Sequence, residues 1–436
     1  MIYAYGSRGD VQPYLALARA LVHAGHDAVL SAPKTYESFA AEHGVAFSPR
    51  DDEYLRLLDD PEVREVQQRA DRAKGNDKEL QEKVDRVRAR KNEIVRRAYP
   101  VMLDDLADAA DGADLVVHQY SGIDQAHHVA ERLDVPSVLA VQHPNFVPSW
   151  HYPSVAAKPG ARLPRLLNRL SHLPTRDAIS GEAKRMVDDW RVNRLGLPAR
   201  RGHHNRLRRP DGSAVPVLHA FSEHFVPPAP DWPETVHTTG FWFLPGSPDW
   251  TPPPELARFL AEGEPPIAVG FGSLVGPDAA LSGRVVAEAV RAAGVRAVIV
   301  TGWGGIRVED PGDDLLVIEQ APYDWLFPRV RAAVHAGGIG TISAALVAGI
   351  AQVACPFHPE QAGWSHLLHR HGAAPEPIRQ RDLDPARLSA AITRVLATPS
   401  YGAASAAIGA RVRAESGTAT AVGILERIAG GVPAAA

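Results

Sequence analysis

Between Val334 and Trp364 the chain reads VHAGGIGTISAALVAGIAQVACPFHPEQAGW, an order of residues that few folds accommodate. Ala332 to His335 is a short apolar run closed by Gly337-Gly338, the pattern of a strand buried in a parallel sheet. Ile342 to Val347 has helical spacing, and Gly349 is placed to stop the helix. The helix is expected to start at Gly340-Thr341, directly beyond the strand's carboxyl end. Unpaired backbone N–H groups and the positive end of the helix dipole at such a start suit a phosphate. Glycines allow close approach, Thr341 can add a hydroxyl, and His335 can add a ring N–H. No lysine follows Lys184, so a Walker-type P-loop is excluded from this half. Turn chemistry alone allows a second reading, a tight strand-to-helix turn capped by a threonine.

At 436 residues the chain is too long for one ordinary core, and two domains are expected. Its first half opens in the same way. Ile2–Tyr5 reads as a strand entering Gly6-Ser7-Arg8-Gly9-Asp10, and Val11, Tyr14, Leu15, Ala18, Leu21 and Val22 then share one helical face. The turn is not GxGxxG, so no dinucleotide fingerprint is met. Asp27–Ala32, Val45–Phe47, Ala113–His118 and Val135–Val141 read as further strands, with a helix at Gln125–Leu133. Asp51 to Asp111 is densely charged and reads as two or three exposed helices broken at Gly75-Asn76. Pro227-Pro228-Ala229-Pro230 and Pro252-Pro253-Pro254 bracket a proline-rich stretch of linker composition. Beyond it, Ile267–Gly270 enters Phe271-Gly272-Ser273. Strands at Ala297–Thr301, Leu315–Glu319 and Gln352–Ala354 follow, and amphipathic helices near Ala403–Arg413 and Thr418–Ala429 end the chain.

Composition removes several functions. A slightly negative net charge of −4 gives no reason to expect nucleic acid as a partner. The single cysteine, Cys355, excludes an internal disulfide or a cysteine-built zinc site, and its apolar setting reads as an inert core thiol. No apolar run reaches membrane-spanning length and only five residues precede the first glycine turn, so a cytoplasmic protein is expected. His127-His128 sit at adjacent helix positions that should face different ways, and no carboxylate motif accompanies them, which disfavours a metal. His366, His369 and His371 read as surface residues for a similar reason.

HAGGIGT followed by PFHPEQAGW resembles the donor-site signature of inverting nucleotide-sugar glycosyltransferases, nearest to sterol 3-O-glucosyltransferases and the bacterial enzymes that glycosylate antibiotics. There the pattern is near HHGGAGT, then PF, then an acidic residue and glutamine before an aromatic. The resemblance runs from GSRGDVQP to the last helix. It is weakest at 51–111 and 151–213, and it includes PPAPDWP and TGFWF at the crossing between domains. It implies the α/β GT-B fold, two Rossmann-like doubly wound domains facing across a cleft. The implied division is an acceptor domain at 1–226, a linker at 227–255, a donor domain at 256–402 and C-terminal helices at 403–436, the last packing back on the first domain.

The resemblance also assigns roles. Asp10 would be the base that deprotonates the acceptor, against the reading of a helix N-cap. Ser273, His335, Gly338, Gly340 and Thr341 would hold the diphosphate of a UDP- or dTDP-sugar, with Ser7 and Gly337 also donor-binding. Trp303 and the Gln320-Ala321 backbone would hold its base, and Glu360 and Gln361 the sugar hydroxyls. His143, Phe146 and Trp150, in HPNFVPSW, would touch a hydrophobic hydroxylated acceptor, with Trp190 and the basic run His203–Arg209 in the loops beyond. One base and no opposing nucleophile imply inversion to a β-O-glycoside. With no DxD pair after a strand, neither a metal nor another cofactor is expected. The chain departs from the pattern at Ala336, Glu360, Tyr323 and Ala374-Pro375, which leaves the sugar undetermined. A nucleotide-sugar epimerase and a silent nucleotide-sugar-binding auxiliary protein are the rival readings.

Overall fold

The structure is a computed structural model. It describes the chain except residues 61, 64, 65, 67, 68, 70–76, 121–124, 155, 156, 158–162, 174–180, 201–204, 247–249, 273–278, 303, 304 and 431–436, and the side chains of 58 and 59. Ser273, Trp303 and the Gly75-Asn76 break therefore lie outside the described residues. The chain forms two compact units. One is built from Met1–Ala157, Arg162–Leu244 and the segment from Ser416 onward, the other from Pro245–Glu415.

The first unit is a seven-stranded sheet, β1 (Ile2–Tyr3), β2 (Val29–Pro33), β3 (Ala46–Arg50), β4 (Val116–Gln119), β5 (Ser137–Val141), β6 (Val217–His219) and β7 (Val236–Thr238). All pairs are parallel, in the order β3-β2-β1-β4-β5-β6-β7. The chain order reverses beside β1, as in a doubly wound sheet, so loops from β1 and β4 diverge there and leave room for a ligand. β7 falls inside the stretch read as a linker. Its three residues are too short to stand out between prolines, and the units divide later, at Leu244–Pro245. The sheet is covered by α1 (Arg8–His23), α2 (Lys78–Asp108), α3 (Ala126–Leu133), α4 (Arg165–Ser171) and α5 (Gly181–Asn193). Of the helices expected in the charged stretch, the described residues show a short one at Glu53–Asp59 and α2, which runs for 31 residues. Trp190, expected in a loop, is a core residue on α5, packed with Leu103 and Leu106 of α2.

The second unit has the order β10-β9-β8-β11-β12, again all parallel: β8 (Ile267–Gly270), β9 (Ala297–Val300), β10 (Leu315–Ile318), β11 (Ala332–His335) and β12 (Ala351–Ala354). α6 (Ile339–Ala348) and α7 (Pro359–Arg370) follow β11 and β12, and α8 (Pro399–Ala414) packs on α6. α6 starts at Ile339, earlier than expected, because Gly338 takes the extended conformation of an N-cap. The last helix, α9 (Gly417–Ala429), belongs to the first unit. Its Ala421, Val422, Ile424 and Leu425 join Val11, Tyr14, Leu15 and Ala18 of α1 in one core. Burying side chains of that size is worth roughly 1.5–3 kcal/mol for each large aliphatic.

Candidate active site

In the second unit the glycine turn is set by two hydrogen bonds of His335. The ring is buried at the end of β11. Gly337 N donates to its Nδ1 at 2.9 Å, so the ring proton sits on Nε2 and is donated to Gln352 Oε1 at 2.8 Å. Burial pushes the His335 pKa down to about 4, against a small opposing effect of Gln352, so the ring is neutral. Both ring nitrogens are thus used inside the fold. The expectation that His335 lends an N–H to a ligand fails on this geometry, and Gly337's amide is engaged as well.

What remains open is the start of α6. No side chain caps Gly338, and the first backbone bond runs from Ile342 N to Gly338 O. The amides of Ile339, Gly340 and Thr341 have no partner within the helix. A side chain added at Gly338 or Gly340 would meet nothing within 4 Å. Gly337 differs: at φ +84° its Cβ position lies 2.2 Å from Ser365 Oγ, so α7 packs directly on it. Gln361 is buried, and its Oε1 accepts from Phe357 N (2.9 Å) and His358 N (3.3 Å), which shapes the loop after β12. Glu360 beside it is exposed. Gln320 and Ala321 follow β10 on the same carboxyl edge, and Tyr323, at the start of the next helix, stacks on Phe327 with centroids 4.4 Å apart.

In the first unit Asp10 is not the N-cap of α1. Ser7 is, and Asp10 stands three residues on, its Oδ2 accepting from Ser7 N and Ser7 Oγ at 2.8 Å each. The carboxylate lies over Gly6, where a Cβ would come within 2.5 Å of Oδ2. Two more elements clasp the turn: Tyr36 OH donates to Gly6 O (3.3 Å) and Gln142 Nε2 to Gly9 O (3.2 Å). Asp10 is thereby fixed at the carboxyl edge of the sheet, in reach of solvent.

Loops from the same edge help enclose a cavity of about 590 Å³. Tyr120, after β4, stacks on Phe146, after β5, at 4.4 Å, and Val147, Leu207, Val215 and Val217 add apolar walls. Arg169, His172, Asn205 and Asp231 supply polar ones. Asp231 is held by Ser149 Oγ and Trp150 N, both at 2.8 Å. Burial alone would raise its pKa, but these bonds outweigh that and lower it. Of the expected acceptor residues, Phe146 lines the cavity, His143 meets Phe146 edge-on at 6.0 Å, and Trp150 points to solvent. Sequence reasoning missed Tyr120 and Asp231. Tyr120 directly follows a strand end and could have been found by that rule.

Other histidines have structural roles. The His127 and His128 rings do not diverge; they lie 4.0 Å apart in the core, and His128 Nδ1 meets Arg191, which pairs with Glu131. Within the basic run, Arg206 is buried over the Tyr120 ring rather than solvated. His369 donates to Ala374 O at 3.0 Å. Among the described residues no three His, Cys, Asp or Glu side chains gather as metal ligands, and no helix is long and apolar enough to cross a membrane. Burial raises the Cys355 thiol to about 12.

Known proteins share this fold and resemble this sequence. Residues 1–92 match the glycosyltransferase family 28 N-terminal domain, and residues 306–428 match the C-terminal domain of erythromycin biosynthesis protein CIII-like proteins. The sterol 3-beta-glucosyltransferase of Emericella nidulans is 30% identical over 97% of this chain, which spans 29% of that protein's length. O-mycaminosyltylonolide 6-deoxyallosyltransferase of Streptomyces fradiae is 33% identical over 97% of this chain and 95% of its own. The glycosyltransferase VinC, solved in complex with dTDP, superposes with a TM-score of 0.63 at 19% identity, covering 98% of each chain. On this similarity, the chain has the GT-B fold and belongs to the family of the sterol and macrolide-antibiotic glycosyltransferases.

Proposed function

We propose that the protein transfers a sugar from a UDP- or dTDP-sugar, with inversion, to a hydroxyl of a hydrophobic polycyclic molecule such as a sterol or macrolide, giving a β-O-glycoside. The observation that carries this reading is Asp10, a carboxylate fixed at the edge of a sheet whose loops help enclose a cavity of about 590 Å³. That volume suits a polycyclic guest. Asp10 takes the acceptor's hydroxyl proton, the oxygen attacks the anomeric carbon, and the bond from that carbon to the diphosphate oxygen breaks on the opposite face. The amides of Ile339, Gly340 and Thr341 receive the charge that develops on the diphosphate. His335 acts through Gly337, holding the turn in shape.

The remaining assignments belong to the same proposal. Thr341, Gly338, Gly340 and Ser273 serve the diphosphate, Gln320, Ala321 and Trp303 the base, and Glu360 and Gln361 the sugar, while Ser7 serves the donor side through the turn it shares with Asp10. The names of the relatives support both a sterol and a glycosylated macrolide-type acceptor, and the dTDP complex of VinC supports the nucleotide. No divalent cation takes part, and the lone buried thiol fits a reducing cytoplasm. Incubation with labelled UDP- and dTDP-sugars, alone and with sterol and macrolide aglycones, tests the reading. A β-glycoside formed only with acceptor, and undiminished by chelator, supports it. Epimer or free sugar without acceptor, or binding without turnover, rejects it.

A further inference from the structure

Pro13 leaves a gap in the hydrogen bonding of α1 that another element fills. It stands inside the helix and has no N–H to give the Gly9 carbonyl, its partner four residues back. Gln142, the residue directly after β5, serves that carbonyl instead: its Nε2 donates to Gly9 O at 3.2 Å. One position beyond Pro13, Tyr14 OH donates to Ala140 O at 2.7 Å, inside the core and on β5 itself. The start of α1 is therefore fastened to the carboxyl end of β5 at two points, one buried and one at the surface. The surface bond falls on Gly9, next to Asp10.

Beyond Gln142 the chain runs straight into the wall of the cavity. It has little slack there: Pro144 opens a single 3-10 turn that closes at Phe146, and Asn145 Nδ2 donates to Pro153 O. Phe146 lines the cavity and stacks on Tyr120. Gln142 thus joins the turn that carries Asp10 to the loop that forms this wall. Gly9 is exposed, so water can serve its carbonyl once the glutamine is gone, and the bond adds little to stability. What the bond fixes is a distance. We infer that Gln142 is a positioning residue, which sets Asp10 against the Phe146 wall and so selects the acceptor hydroxyl that meets the base. The tether stands on geometry alone; the selection of a hydroxyl rests on the proposed transfer, with Asp10 as its base. Misplacement by an ångström or so is enough to slow such a reaction by up to about 100-fold.

Gln142→Leu keeps the bulk and removes the donor, and kinetics with hydrogen exchange on the full chain read its effect. kcat is expected to fall about tenfold, with KM unchanged for acceptor and nucleotide sugar, and a polyhydroxylated aglycone should give a broader set of regioisomers. Amide exchange over residues 6–11, where Asp10 and Val11 N donate to Ser7 O, should quicken, while the melting temperature stays close to the parent's. Gln142→Leu/Pro13→Ala gives Gly9 a helical N–H again. That change would repair a glutamine whose only role was to satisfy a carbonyl; the expected result is a kcat as low as in the single variant. A parent-like kcat in Gln142→Leu, unchanged exchange, an unchanged regioisomer ratio, a raised acceptor KM with kcat unmoved, or recovery of kcat on adding Pro13→Ala would overturn the inference. If the parent transfers no sugar to any acceptor, the proposed function falls, and exchange alone decides the tether: faster exchange in the variant upholds it and equal exchange overturns it.

Discussion

Asp10 turns its carboxylate back on Ser7, accepting the backbone N–H and the hydroxyl of that residue with the same oxygen, each at 2.8 Å. A helix cap and a catalytic base are usually weighed as alternatives. In the proposed function the two are compatible, because a carboxylate held by two donors keeps its position when a substrate arrives.

Gly6 makes that posture possible. Gly6→Ala would place a methyl group 2.5 Å from Asp10 Oδ2, at a φ of +142° that favours glycine. The carboxylate must move, so kcat should fall by about 100-fold, with nucleotide affinity unchanged in equilibrium titration. Unaltered kcat would mean that Asp10's position is not critical.

Gly337 has the matching role in the second unit. Gly337→Ala drives a methyl group to 2.2 Å from Ser365 Oγ at φ +84° and should cost about 3 kcal/mol in denaturant unfolding. Adding Ser365→Gly should recover part of that loss. The Gln361 carbonyl, 3.1 Å away, limits the recovery.

Acid should weaken the fold through its buried histidines. Burial lowers His335 to about 4 and His219 to about 3, and it depresses His127 as well. An unfolded chain takes up protons near pH 6.5, where these folded groups do not. Stability is therefore full above that pH and declines as pH falls towards the folded values, by about 1.4 kcal/mol per pH unit for each histidine. Urea midpoints measured from neutral pH to about pH 5 should fall steadily. A flat series would show that the three rings are not held neutral.

Phe146→Ala removes one face of the Tyr120 stack. It should raise KM for a polycyclic acceptor by about tenfold and leave KM for the nucleotide sugar unchanged, as initial-rate kinetics with each substrate varied would show.

The sequence shows some of this plainly and hides the rest for physical reasons. β8 and β11 are legible because an apolar run that ends in glycine has few other uses. The Val334–Trp364 run accordingly reveals the second sheet and its open turn. The three-residue strands β6 and β7 carry too little pattern to separate from the prolines and turns around them. The role of His335 turns on Gln352, 17 positions later, whose place beside it depends on the pairing of β11 with β12. The segment RLLNRLS shows leucines at helical spacing, but which face is buried is decided by Asn168 and His172 bonding to Trp150 and Tyr152, a tertiary event.

The most direct test is Asp10→Asn, measured for transfer rate and for nucleotide affinity on the same preparation. Asparagine keeps an oxygen for the Ser7 amide and cannot take the acceptor's proton. The rate should drop by about 10²–10⁴-fold with the nucleotide dissociation constant unmoved. Transfer at the parent rate, or nucleotide binding lost together with it, would contradict Asp10 as the base.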